Sequence, residues 1–132
     1  MSTSSQISRE FHHNLVSFID ELIEQFPREV DFIIGRLIIK DRPSDTIINM
    51  YIREIFPHKE SVTNREESFF LENKISILNG LDSGKVNHFK VLWKSSDLDE
   101  EDRDIIWKWF DTFNLLTERY QEVKMRETQK AM

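Results

Sequence analysis

Four histidines, twenty-four carboxylates and no cysteine bound the chemistry open to this chain. Without a thiolate there is no sulfur nucleophile, no cysteine zinc site and no disulfide framework. His12 and His13 are adjacent, so on a helix their side chains point about 100° apart and do not converge on one ion. His58 and His88 lie in unrelated segments, and no HExxH pattern joins any pair. The run Asp97 to Asp104 holds six acids and one arginine. A calcium loop needs a glycine at its sharp bend, and this run has none. Acids there suit the positive end of a helix, with Asp97 and Glu100 as a capping pair. No GxSxG and no glycine-rich phosphate loop occurs. Carboxylate pairs matter for catalysis only in a cleft that shifts their pKa values. Lys85, Lys90 and Lys94 read as a solvated face. The expectation is a protein that is not an enzyme, with no catalytic residue, no metal and no cofactor.

The aromatic residues are the more informative group. Residues 107–113 hold two tryptophans and two phenylalanines. At about 100° per residue, Ile105, Ile106, Trp109, Phe113, Leu116, Tyr120 and Val123 fall in one sector, with Phe110 and Thr117 at its edge. That sector reads as core. Trp107 and Leu115 project away from it. Either the helix is covered on two sides, or these two form a small exposed patch. An exposed tryptophan is a frequent anchor for a protein partner, so Trp107 and Leu115 are the candidate partner-contact residues.

The elements that would carry these residues read as helices. Residues 7–26 place Ile7, Phe11, Leu15, Phe18, Leu22 and Phe26 at helical spacing, and Pro27 ends the run. Residues 28–40 are apolar on several sides, which predicts a helix in the middle of a bundle. DRPSD is a turn with Ser44 as N-cap for a third helix through Ile55, ended by Phe56-Pro57. Asn64 with Glu67 reads as the cap of the next helix, SFFLENKISIL, which stops at Asn79-Gly80. LDSGK is a turn, and Val86, Phe89, Leu92 and Trp93 mark a short fifth helix. The last helix covers residues 99–124.

Only three glycines and three prolines interrupt this pattern. The fold predicted is all-α, a single-domain bundle of about five or six helices over residues 1–132, with flexible ends near 1–6 and 125–132. At 132 residues the chain can bury one core unaided. A net charge of −6 argues against nucleic-acid backbones and anionic membranes as partners. The most apolar window, VDFIIGRLIIK, is broken by Asp31 and Arg36 and falls short of the roughly 20 residues of a membrane span. MSTSSQ lacks the basic start and apolar run of a signal peptide.

Three stretches resemble a known pattern: FHHNLVSFIDELIEQFP, IFPHKESVTNREESFFL and SSDLDEEDRDIIWKWFDTFNLL. The chain resembles a family of small proteins encoded by nucleocytoplasmic large DNA viruses, among them algal viruses and mimivirus relatives. In that pattern a phenylalanine-rich first helix ends in Phe-Pro, and an aromatic helix opens Ile-Trp-Lys-Tyr. Here Ile106, Trp107 and Lys108 are followed by Trp109. The resemblance covers about residues 11–116. It implies a viral protein of the virion or of the infected cell's cytoplasm, working through contact with a viral structural protein or with itself. It carries over no catalytic or ligand residue. Two rivals stand beside it. One is a host-directed module whose groove captures an amphipathic helix, like the Bcl-2-like folds of poxviruses. The other is an enzyme with a deep carboxylate-lined pocket.

Overall fold

The computed structural model describes residues 2–131, except 72–91, with side chains placed to residue 130. Among the described residues there are six α-helices and no strand, so the fold is an all-α bundle. The expected helix beyond Leu71, its Asn79-Gly80 stop, the LDSGK turn, Val86, His88, Phe89, Lys85 and Lys90 lie outside the described residues.

Helix α1 (Ser4–Gln25) opens with a reciprocal cap. The Thr3 hydroxyl accepts the Gln6 N–H at 3.1 Å, and the Gln6 amide oxygen accepts the Thr3 N–H at 2.8 Å. Two orphan donors of the first turn are thus satisfied. The stripe of Ile7, Phe11, Leu15, Phe18, Ile19 and Leu22 is buried as the spacing predicts. Helix α1 packs on α2 (Val30–Asp41), α3 (Ser44–Glu54) and the last helix, α6 (Glu100–Ala131). It is therefore the central helix of the bundle.

That place was expected for α2. Seven of its twelve residues are apolar, but only Phe32, Gly35 and Ile39 are buried, on the side facing α1. Helical spacing fits more than one face of so apolar a segment. The face that carries the large phenylalanine is the one packed.

The chain then turns at Arg42-Pro43. Ser44 is the first residue of α3 and its cap position is held by Pro43. The Ser44 hydroxyl serves His12 instead. His12 Nε2 donates to the Ile39 carbonyl at 2.7 Å, and Nδ1 meets Ser44 Oγ at 2.9 Å. One imidazole on α1 thereby fastens the end of α2 and the start of α3.

A 3-10 turn (Phe56–His58) leads into α4 (Lys59–Thr63) and α5 (Ser68–Leu71). Asn64 closes α4 and does not open the next helix. Arg65 follows at φ 54°, in the left-handed region. The Glu66 N–H bonds the Ser61 carbonyl at 2.8 Å and the Arg65 N–H bonds the Val62 carbonyl at 3.0 Å. This is a Schellman closure with arginine where glycine is usual.

The cap of α6 lies two residues later than expected. Asp99 and Asp102 cap it reciprocally, at 2.8 and 3.2 Å, in place of Asp97 and Glu100. Its far end is helical through Ala131. There Glu127 accepts the Ser4 N–H at 3.0 Å and the Ser4 hydroxyl at 2.5 Å. The start of α1 and the end of α6 are thus tied to each other.

The core is a continuous run of ring contacts. Tyr51 meets Phe11 at 5.0 Å, Phe11 meets Phe113 at 5.5 Å, and Phe113 meets Phe110 at 5.5 Å. Phe110 meets Phe69 at 5.2 Å, Phe69 meets Phe70 at 5.0 Å, and Phe70 stacks on Trp93 at 4.2 Å. Each fully buried ring contributes about 2–3 kcal/mol of hydrophobic stabilisation.

Candidate functional site

The two residues singled out by the sequence part company. Leu115 is 56% exposed and stands on the outer side of α6. Trp107 is 6% exposed and is no surface anchor. It is covered because the buried arc of α6 spans about 180°, wider than one helix can fill. Helix α1 covers one side of the arc; α4, α5 and Trp93 cover the other. Trp109, assigned to the core, is half-buried at the α1 edge, where its indole N–H donates to Glu21 at 2.8 Å.

Arg65 completes the cover over Trp107. Its guanidinium lies 5.6 Å from the ring and forks onto Asp111 at 2.8 and 2.7 Å. A third bond reaches the Val62 carbonyl at 3.0 Å. The left-handed backbone of a non-glycine residue costs about 1–2 kcal/mol, of which the solvent-screened bidentate pair returns a part. The hydrogen bond to Asp111 raises the arginine's pKa still further.

The buried polar groups are structural. Tyr51 donates to Asn114 Oδ1 at 2.7 Å inside the core. Burial pushes its hydroxyl well above the ordinary tyrosine range, and Asp111 adds to the rise, so it stays neutral and donates. Among the described residues no group of three or more His, Asp or Glu side chains is placed to hold a metal ion. His12 is used in the helix junction. The acids of residues 97–104 stand at the start of α6. No described helix is long and apolar enough to cross a membrane.

The feature that stands out is the far side of α2. Val30, Ile33 and Leu37 are 59%, 39% and 58% exposed, and Ile34 and Ile38 are half-buried beside them. At about 100° per residue these five occupy the sector opposite Phe32, Gly35 and Ile39. Arg36 pairs with Asp20 of α1 and so fixes the helix's rotation. The signal was present in the sequence as apolar residues all round α2; burial on all sides was the wrong inference from it.

A helical bundle with an unusually apolar outer helix is the class of protein that this geometry defines. No family model, no curated protein and no solved structure matches the chain.

Proposed function

We propose that this protein is not an enzyme and acts by protein–protein contact through the outer face of α2. The observation that carries the reading is the exposed strip Val30, Ile33 and Leu37 on a helix already packed along its other side. Water-exposed apolar residues gathered on one helix face favour a partner far more than single ones do.

The occupant we assign is a second copy of the chain, laid antiparallel about a two-fold axis. In an antiparallel pair the two helix dipoles oppose. The resemblance to small proteins of large DNA viruses supplies the setting: a virion component or an assembly factor of an infected cell.

Sedimentation velocity over a wide concentration range tests the contact. A dimer is expected for the native chain and a monomer for Leu37→Glu, with the melting temperature of the monomer little changed. Val30→Glu, on the same strip, should likewise give a monomer. A native chain that stays monomeric at the highest concentration overturns the self-contact. Mass spectrometry of purified particles and assembly intermediates tests the setting, and absence from both overturns it.

A further inference from the structure

Two hollows open along α1. One lies beside Tyr120, where α1, α3 and α6 meet. The other, of about 320 Å³, lies in the seam between the end of α1 and the start of α6, and no residue of α2 lines it. Its floor is buried and apolar: Phe18, Leu22 and Ile106. Asp102, Ile105 and Trp109 line it from α6 at spacings of three and four, so they share one helix face. Glu21 and Glu24 line it from α1, one turn apart.

Apolar surface stays open there, since Ile105 is 45% exposed and Trp109 is half-buried. The Trp109 indole N–H crosses the seam to Glu21 Oε2 at 2.8 Å, which fixes ring and carboxylate side by side. No lining residue is basic. Arg103, next to Asp102 in sequence, is turned to the Trp93 carbonyl at 3.0 Å. Among the described residues, Glu21, Glu24 and Asp102 have no cationic partner, and they are not gathered to hold a metal ion.

The chain itself shows what an indole beside a carboxylate accepts. The Arg65 guanidinium lies 5.6 Å from the Trp107 ring and forks onto Asp111 at 2.8 and 2.7 Å. Trp109 and Glu21 present the same two groups, and among the described residues no cation lies over Trp109. A planar guanidinium stacks on an aromatic face and pairs with a carboxylate better than an ammonium does.

We propose that this seam docks an arginine carried by a basic segment of a partner protein, its aliphatic stem on Ile105 and Trp109 and its guanidinium against Glu21 and Glu24. An arginine within a chain fits better than the free amino acid, whose own carboxylate the three acids of the hollow repel. The net charge of −6 draws such a segment from a distance.

The test is a two-dimensional NMR titration of the full chain, following backbone amides and tryptophan indoles at matched ionic strength. The probes are acetylated and amidated Leu-Arg-Leu, the same peptide with lysine, and free arginine. The arginine peptide should give saturable shifts centred on the Trp109 indole N–H and the amides of Glu21, Asp102 and Ile105. It should bind at least threefold more tightly than either other probe. Glu24→Gln and Ile105→Ser change exposed side chains, and each should weaken binding at least threefold while the amide spectrum shows the fold intact. Shifts that rise linearly, centre elsewhere or survive both substitutions unchanged would overturn the site. Equal affinity for the lysine peptide would overturn the assignment to arginine, and equal or tighter binding of free arginine would overturn the protein segment as occupant.

Discussion

The indole of Trp107 is held by neighbours on several sides. Phe70 lies 4.8 Å away, Trp93 5.3 Å and Phe69 6.2 Å, with the Arg65 guanidinium over the outer face. Truncation to alanine leaves a cavity that these rings cannot close, because Arg65 is itself fixed on Asp111. Trp107→Ala should therefore cost about 3–5 kcal/mol of stability. Trp109 is in a different position. It rests on Phe18 and Phe113 but is half-exposed, so water can take the place of part of its ring. Trp109→Ala should cost distinctly less, about 1–2 kcal/mol. Paired urea denaturation curves measure both. Equal losses, or a larger loss for Trp109, would mean that the cover over Trp107 is looser than these distances imply.

At the scale of the element, α2 is the informative case. Its inner face rests on α1 through Phe32 and Ile39, with its middle held by Arg36 on Asp20 and its last turn by His12 on the Ile39 carbonyl. Its outer face touches solvent. The two faces should respond oppositely to mutation. Phe32→Ala empties a fully buried site and should lower stability by about 3–5 kcal/mol. Leu37→Ser removes an exposed side chain and should change the stability of the monomer by less than about 0.5 kcal/mol. Thermal melts at concentrations too low for self-association check this directly. A large loss for Leu37→Ser would show that something in the chain covers the strip. Helix α6 obeys the same logic in reverse. Its N-terminal half is covered on two sides, while Leu115 faces water two turns beyond Trp107.

At the scale of the whole molecule, the Ser4–Glu127 contact joins the start of the first helix to the end of the last. The Ser4 hydroxyl and then the Ser4 N–H hold the Glu127 carboxyl below the ordinary glutamate range, with Lys124 and Lys130 adding to the effect. A carboxyl depressed in the folded state contributes stability in full above its unfolded value and loses it as pH falls through its folded value. Acidification below the ordinary glutamate range should thus release the two ends. Glu127→Gln should melt lower than the native chain near neutral pH. The difference should shrink as pH drops below that range, because the native carboxyl is then protonated as well. Melting temperatures across that pH series are the measurement, and a difference that stays constant with pH would rule out the carboxylate as the cause.

Much of this architecture was legible in the sequence because it is local. The spacing of Ile7, Phe11, Leu15, Phe18 and Leu22 is a property of one segment, and backbone hydrogen bonding within that segment turns it into an amphipathic helix. Scarce glycine and proline, together with that period, were enough for an all-α bundle. Capping was legible only as a tendency of the acidic run; whether Asp97 or Asp99 closed the box was a matter of one turn's geometry. What required the tertiary structure was which face of an ambiguous helix meets the core. Helix α2 carries apolar residues on every side, and α6 carries more aromatic surface than one neighbour can cover. Their burial depends on partners distant in the chain: Phe32 and Ile39 turn inward because α1 is there, and Trp107 is buried because Phe69, Phe70 and Trp93 arrive from outside its helix. The same is true of the hollow beside Tyr120. Ser5, Ser44 and Lys124 belong to three helices, and only the packing of α1 against α3 and α6 brings them to the rim of one hollow. Periodicity is written along one helix, whereas exposure and convergence are set by what the other helices leave uncovered.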